Sequence, residues 1–185
     1  MNLIRKKAVI LISGRGSNMA ALAEAAQAPD YPVDIVGVLS DRADARGLNV
    51  AAGLGIPAKA IERADHADKA AHEAALEAEL ARLGAEIVCL AGYMRLFSPA
   101  FTERWAGRLI NIHPSLLPLF KGLDSHARAL KAGVRIHGCA VHFVTADTDD
   151  GPIIAQAAVP VLPGDGEQDL AARVLAAEHL LYPLA

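Results

Sequence analysis

Two polar side chains stand close together in the apolar run INIHPSLLP, residues 110 to 118. Asn111 and His113 are two residues apart, so in an extended strand they would project from the same face. Pro114 cannot donate to a sheet ladder, which predicts that strand pairing ends there and leaves the histidine at a rim. A structural histidine is the alternative interpretation, but two neighbouring buried polar groups each need partners. An amide and an imidazole facing one small volume can donate hydrogen bonds to a developing oxyanion.

A third polar candidate is Asp149, in the stretch TADTDDGP. Taken alone, this stretch predicts a turn, because Asp and Gly favour turns. A calcium loop is excluded, since Gly151 is fifth counting from Asp147, where the motif needs its glycine sixth. The remaining histidines form no metal set, because His137 and His142 are five residues apart and fall on opposite faces of one strand. We therefore expect no metal at this site.

The segment LISGRGSNMAAL places glycines between a predicted buried strand and a predicted helix. Gly16, Ser17 and Asn18 would present backbone amides and the positive end of the helix dipole to an anion. An ordinary strand-to-helix turn with Ser17 as N-cap is the alternative. The dinucleotide fingerprint needs a glycine where Met19 stands, so the segment favours a single phosphate over a dinucleotide.

Apolar runs of strand length alternate with helical stretches and would position these candidates. The predicted strands are KAVILIS, VDIVGVLS, EIVCLAG and RLINIH. The alternation predicts βαβ units and an α/β fold, with a Rossmann-like, open, mostly parallel twisted sheet flanked by helices in a single domain over residues 1–185.

Three further elements are predicted along the chain. The stretch ADHADKAAHEAALEAELARLGA predicts a helix with Leu76, Leu80 and Leu83 on one face and charges on the other. After His113, GCAVHFVT and PIIAQAAVPV predict two strands joined by a hairpin-like connection. EQDLAARVLAAEHLLYPLA predicts a closing helix.

Composition limits the classes of function. The chain has 185 residues, 53% of them hydrophobic, and a net charge of -3 with scattered basic residues, which argues against nucleic acid as a partner. Neither a signal peptide nor a membrane-spanning run is apparent, so we expect a soluble, cytoplasmic protein without membrane contact. Cys89 and Cys139 lie in strand-like runs without metal-ligand spacing, which predicts reduced core residues.

SGRGSN, AGYMRLFSP, NIHPSLLP, FKG and HFVTADTDDGP occur in this order. Together they closely resemble the glycinamide ribonucleotide formyltransferases, the folate-dependent transformylases of de novo purine synthesis, over nearly the whole chain. The resemblance implies the formyltransferase fold. Methionyl-tRNA formyltransferase and formyltetrahydrofolate deformylase share the Asn-x-His-Pro-Ser-Leu-Leu-Pro element, whereas the Gly-Ser-Asn loop separates the nucleotide enzymes from them.

The resemblance implies transfer of the formyl group of 10-formyltetrahydrofolate to the amine of phosphoribosylglycinamide (GAR), without a metal. It implies a catalytic trio of Asn111, His113 and Asp149. The residues implied for GAR binding are Gly16, Ser17, Asn18 and Glu178. Those implied for the folate pocket are Lys69, Met94, Arg95, Leu96, Phe97, Asn111 and Thr145. The partners would be these small molecules, and the chain a monomer or weak homodimer.

Two other functions compete with this interpretation. A deformylase would release formate to water from the same trio, but such enzymes usually carry an N-terminal regulatory domain, for which we expect no room before Ile4. A non-catalytic folate or nucleotide-binding module is the second alternative, and binding alone does not require the trio. Leu175 also departs from relatives that often carry a polar or basic side chain near Glu178, which predicts a weaker nucleotide contact there.

Overall fold

The computed structural model describes residues 4–185. Strands and helices alternate within this range, with a short 3-10 helix at Arg63–Asp65. The strands are β1 (Lys6–Ile12), β2 (Val33–Ser40), β3 (Ala58–Ala60), β4 (Ile87–Leu90), β5 (Leu109–His113), β6 (Ile136–Phe143) and β7 (Ile153–Pro160). The helices are α1 (Ser17–Ala25), α2 (Arg46–Gly53), α3 (Lys69–Leu83), α4 (Pro99–Arg104), α5 (Ser125–Ala132) and α6 (Glu167–Leu184). None of these helices is both long and apolar enough to cross a membrane.

The strands form one sheet in the order β3-β2-β1-β4-β5-β6-β7. The first five strands in this order pair in parallel, whereas β6 is antiparallel to both β5 and β7. The predicted α/β fold with an open, mostly parallel sheet is therefore confirmed, as is the hairpin-like connection of the last two strands. The strand order reverses between β1 and β4, and open sheets bind ligands outside the carboxyl ends of strands at such a switch point.

Helices cover both faces of the sheet and enclose two hydrophobic cores. The side chains of β1 alternate between them: Ile10 and Ile12 pack with α1 and α6, whereas Val9 and Leu11 pack with α3 and α4. All four side chains are fully buried. Burial of one such side chain contributes about 1.5–3 kcal/mol. The central strands therefore give rigid support to the loops at their carboxyl ends.

Helix α3 begins later than the sequence predicts, at Lys69 rather than near residue 64. Asp68 is its N-cap, and the carboxylate accepts a hydrogen bond from the Ala71 backbone N–H at 2.8 Å. This cap gives a hydrogen-bond partner to one of the free backbone amides at the start of the helix, which favours a first helical residue at Lys69. Leu76 and Leu80 are buried as predicted.

Two glutamates of α3 are also buried, although the sequence predicts charges on the face away from the leucines. Glu79 accepts hydrogen bonds from Arg82 at 2.6 Å and from Lys59 at 2.8 Å, and these two cations lower the pKa of its carboxyl group. Glu73 accepts a hydrogen bond from the Ser98 backbone N–H at 2.7 Å, which joins α3 to the start of α4. Periodicity could not show this, because Lys59 and Ser98 lie outside α3.

Cys89 on β4 and Cys139 on β6 are buried free cysteines, as predicted. Burial raises the pKa of each thiol to about 12. Because only a thiolate is a strong nucleophile, neither cysteine is reactive near neutral pH.

Candidate active site

The candidate residues lie at the switch point of the sheet, where loops follow β1, β4 and β5. Hydrogen bonds join the first two loops: the Ser13 N–H donates to the Gly92 carbonyl at 3.1 Å, and the Met94 N–H donates to the Ser13 hydroxyl at 2.8 Å. Strand β5 pairs directly with β4 and ends at His113. The loops at the carboxyl ends of three buried strands therefore meet at one cleft.

Asn111 on β5 lies opposite His142 on the antiparallel strand β6. The Asn111 Nδ2 atom is 3.2 Å from His142 Nε2, and His142 Nδ1 is 2.9 Å from the Phe143 carbonyl oxygen. These contacts fit a neutral ring that carries its proton on Nδ1 and accepts the Asn111 amide at Nε2. Burial lowers the pKa of His142, which favours the neutral ring. His142 therefore orients the Asn111 amide.

His113, at the end of β5, lies between two oxygen acceptors. Its Nε2 atom is 3.1 Å from the Phe120 carbonyl oxygen, and its Nδ1 atom is 3.3 Å from Asp149 Oδ2. Asp149 Oδ1 is also 3.7 Å from His142 Nε2. The carboxylate thus connects His113 with the pair formed by Asn111 and His142, and the structure brings the predicted trio together.

Asp149 lies in the connection between β6 and β7 and has a positive φ of 50°. Aspartate tolerates this left-handed region better than most residues. Its Oδ2 atom also accepts a hydrogen bond from the Gly122 N–H at 2.8 Å. The turn predicted from the sequence therefore holds one carboxylate against the segment that follows β5. In the part of the chain that the structure describes, no three His, Cys, Asp or Glu side chains could hold a metal ion.

A cavity of about 100 Å³ opens beside Asn111 and Asp149, and a second cavity of about 150 Å³ shares part of its lining. The predicted folate residues that line the smaller cavity are Arg95, Leu96, Phe97, Asn111 and Thr145. Lys69 lines the larger cavity together with three of the same residues. Met94 lines neither cavity, and its side chain is 67% exposed.

Arg95 reaches the cavities from an ion pair with a buried carboxylate. Its Nε atom is 2.6 Å from Asp41 Oδ2, and the side chains are 49% and 2% exposed, respectively. The Asp41 Oδ1 atom is buried without a hydrogen-bond partner among residues 4–185. Asp41 therefore fixes one side of the guanidinium while leaving its other nitrogens accessible.

The loop after β1 is built for close backbone approach. Gly16, rather than Ser17, is the N-cap of α1, so the alternative with Ser17 as cap is wrong. Gly16 has a φ of 76°, and a Cβ atom there would lie 2.8 Å from the Gly47 Cα atom, so only glycine fits. No side chain of residues 4–185 caps α1, which leaves its first amides available to an anion.

Glu178 of α6 lies against the same loop. Asn18 Nδ2 donates a hydrogen bond to Glu178 Oε2 at 2.7 Å. Burial raises the pKa of Glu178, whose side chain is only 6% exposed. The Asn18 Oδ1 atom is buried without a hydrogen-bond partner in the described range. The structure thus joins two of the residues predicted to bind the nucleotide. They lie beside the loop that follows β1, and the cavities are lined by the loop that follows the neighbouring strand, β4.

Residues 6–185 match the formyl transferase family. The phosphoribosylglycinamide formyltransferase of Escherichia coli (strain K12) is 45% identical over 176 residues, which cover 95% of this chain and 83% of that protein. The chain belongs to the formyl transferase family. This membership confirms the resemblance that the motifs indicate. Phosphoribosylglycinamide formyltransferase from Brucella melitensis, known from a crystal structure, shows 58% identity and a TM-score of 0.94, over 97% of this chain and 93% of that one.

Longer relatives contain the same formyl transferase domain. The trifunctional purine biosynthetic protein adenosine-3 of Bos taurus is 44% identical over 181 residues. The match covers 98% of this chain but 18% of the relative. The chain therefore spans less than a fifth of that trifunctional protein.

His142 is the residue of this formyl transferase cluster that the sequence interpretation missed. The separation of His137 and His142 excludes a shared face, but it does not show what either side chain meets. The useful signal is the β5–β6 register, which sets His142 opposite Asn111. That register depends on a pairing between strands more than 20 residues apart.

Proposed function

We propose that this chain transfers the formyl group of 10-formyltetrahydrofolate to the amino group of GAR. The observation that carries the proposal is the convergence of Asn111, His113 and Asp149 on a cleft beside a phosphate-type loop. The Escherichia coli relative, 83% of which this chain covers, bears the corresponding activity in its name. We also propose that residues 1–185 act as a single formyltransferase domain.

In this proposal, the GAR phosphate binds to Gly16, Ser17 and Asn18. The uncapped amides and positive dipole end of α1 favour an anion at this position. Glu178 accepts hydrogen bonds from the ribose hydroxyl groups, and the unpaired Asn18 Oδ1 atom accepts one from the nucleotide. Both contacts supply partners for polar groups that burial otherwise leaves poorly satisfied.

The folate binds between the loops that follow β4 and β6. Leu96 and Phe97 provide apolar contact, and Thr145 closes the opposite wall. Lys69 and Arg95 are half exposed cations, with side-chain exposures of 50% and 49%, and attract the carboxylates of the folate. The exposed Met94 side chain covers the entrance, and Asn111 meets the formyl end.

Asn111 and His113 stabilise the negative charge that develops on the formyl oxygen when the amine attacks. One hydrogen of the Asn111 amide is used by His142, and the second is available to the substrate. The His113 Nε2 atom donates to the same oxygen after its contact with the Phe120 carbonyl opens. Donors already aimed at an oxyanion commonly contribute a hundredfold or more to the rate.

Asp149 receives the proton that the amine must lose, either directly or through water. Its carboxylate also lies 3.3 Å from the His113 Nδ1 atom and so orients this ring. The tetrahedral intermediate then collapses and the carbon–nitrogen bond to the folate breaks. The leaving nitrogen takes up the proton that Asp149 accepted, directly or through water, and tetrahydrofolate departs. Proton transfer by a positioned side chain contributes about 10²–10⁴-fold.

We further propose that the protein works in the cytoplasm on these small molecules, as a monomer or weak homodimer, without nucleic acid or membrane partners. Two buried free cysteines fit a reducing compartment, and scattered basic residues do not form a phosphate-backbone surface. Sedimentation at several protein concentrations tests the oligomeric state, and a tight dimer would contradict it.

A spectroscopic assay of tetrahydrofolate release tests the proposed reaction. We expect release from 10-formyltetrahydrofolate only when GAR is present, with formyl-GAR formed in equal amount. Release with formate in the absence of GAR would assign a deformylase instead. Folate binding without release under either condition would assign a binding module.

A further inference from the structure

Two arginines beside the phosphate loop have no role in the reaction described so far. Arg15 lies between Gly14 and Gly16, and Arg46 is the first residue of α2. Both side chains are exposed. Within residues 4–185, neither guanidinium group takes part in a hydrogen bond or an ion pair.

Backbone packing brings the two arginines to the same corner of the molecule. The Gly47 N–H donates to the Gly14 carbonyl at 3.0 Å. A Cβ atom on Gly47 would lie 3.1 Å from the Gly16 Cα atom, so the two loops touch. Since Arg15 and Arg46 are the chain neighbours of these glycines, their backbones lie close together beside the start of α1.

This corner concentrates positive charge. The amino ends of α1 and α2 meet here, and neither helix has an acidic residue in its first turn. The carboxylates of the loop before α2 are already engaged: Asp44 pairs with Arg42 at 2.7 Å, and Asp41 pairs with Arg95. A bound dianion would relieve the repulsion between two guanidinium groups and two helix amino ends.

We propose that Arg15 and Arg46 hold the phosphate of the substrate from its solvent side. The group that these arginines recognise is a phosphate monoester dianion. That this phosphate belongs to GAR rests on the proposed function. The planar guanidinium group binds two phosphate oxygens at once. Leu175, one turn before Glu178 on α6, supplies no charge, so the cations come from the loops rather than from this helix.

The test compares Arg15→Ala, Arg46→Ala and the double variant with the wild-type chain. We expect the KM for GAR to rise about threefold to tenfold in each single variant and further in the double variant, as for charge-assisted contacts open to water. The KM for formyl folate should stay unchanged, because the arginines do not contact this substrate. The kcat should stay within about twofold, because the phosphate contact is equally strong in the ground state and the transition state. Arg15→Lys keeps the charge and recovers part of the affinity.

Lys7→Ala is the matched control. Lys7 is an exposed cation at the amino end of β1, roughly 20 Å from the loop by strand rise. A KM for GAR in the double variant within twofold of this control would overturn the inference and leave the proposed transferase intact.

A second measurement tests the phosphate contact even if the proposed transferase activity is wrong. If the wild-type chain does not turn over GAR, calorimetric titration with ribose 5-phosphate decides. Binding that is lost in the double variant and kept in Lys7→Ala supports the phosphate contact without the transferase. Equal binding in all variants, or none in any, overturns it.

Discussion

At the scale of single residues, the reacting centre depends on donors held at fixed positions. Asn111→Ala and His113→Ala each remove one proposed donor to the formyl oxygen, so we expect kcat to fall about a hundredfold or more. Binding of ribose 5-phosphate should persist, because the phosphate loop follows a different strand. Steady-state kinetics and calorimetry measure the two effects.

Asn49→Ala is the control, since Asn49 is an exposed asparagine on α2. It should keep the wild-type kcat and KM values. If Asn111→Ala retained more than half of the wild-type rate, the proposed role of this amide would be wrong.

His142 acts through Asn111, which gives a different expectation. In His142→Ala the amide loses the acceptor that orients it, so kcat should fall by about tenfold with little change in the KM for GAR. His142→Gln supplies an amide oxygen that can accept the same hydrogen bond, and it should recover part of the rate. Equal losses in both variants would indicate a packing role only.

The residues of the site differ in how far sequence could place them. Strand periodicity alone sets Asn111 and His113 on one face, and motif resemblance adds Asp149. The contact between Asp149 and His113 could not be predicted, since it depends on the path of the β6–β7 connection and on the Gly122 amide. Met94 shows a different limit, because the motif includes it but does not show that it is 67% exposed and lines neither cavity.

At the scale of elements, α5 rests on β6 through two histidines. His126 Nδ1 is 3.3 Å from His137 Nε2, and the His137 side chain is 1% exposed. Burial lowers the pKa of both rings, that of His137 to about 4, and the nearby His126 ring also lowers the pKa of His137. The contact therefore requires neutral histidines.

Acidification should loosen this contact. The unfolded chain protonates histidine near pH 6.5, so between about pH 6.5 and pH 4 it binds more protons than the folded chain. Stability is kept above pH 6.5 and falls below it, by up to about 3 kcal/mol for His137 at pH 4. Urea unfolding at pH 7.5, 6 and 5 measures the slope.

His137→Gln removes the buried ring that titrates and should flatten this dependence. His66→Gln, at a half-buried histidine outside the contact, should keep the wild-type slope. A steep slope that survives in His137→Gln would assign the pH dependence to other groups.

Strands and helices long enough to show a periodic pattern could be predicted from the sequence, whereas the shortest elements could not. The strands β1, β2, β4 and β5 agree with their apolar runs within two residues. Strand β3 has three residues and α4 has six, too few for a periodic pattern to emerge. These elements form because of tertiary packing, such as the Phe97 and Phe101 rings that stack at 4.2 Å.

At the scale of the whole molecule, the loops proposed to bind the two substrates come from different parts of the sheet, so mutations should affect the two affinities separately. Gly16→Ala puts a Cβ atom against Gly47 and strains a positive φ. We expect the KM for GAR to rise at least about tenfold while folate binding changes little. Kinetics with each substrate varied in turn measures the separation.

Gly53→Ala is the matched control, because its added Cβ atom meets nothing within 4 Å. It should leave both KM values unchanged and slightly stabilise the end of α2. A comparable loss of folate binding in Gly16→Ala would show that the loop supports the whole cleft.

The order of the central strands also sets the distance between the loop after β1 and the polar side chains at the end of β5. The loop proposed to bind the phosphate follows β1, and the proposed donors for the formyl oxygen lie at the carboxyl end of β5, with β4 between them. Two strand spacings amount to about 10 Å. On the proposed assignment, we expect the sheet to discriminate substrates by the distance from phosphate to amine. A homologue longer by one carbon–carbon bond, about 1.5 Å, should still bind at its phosphate but present its amine beyond the reacting carbon.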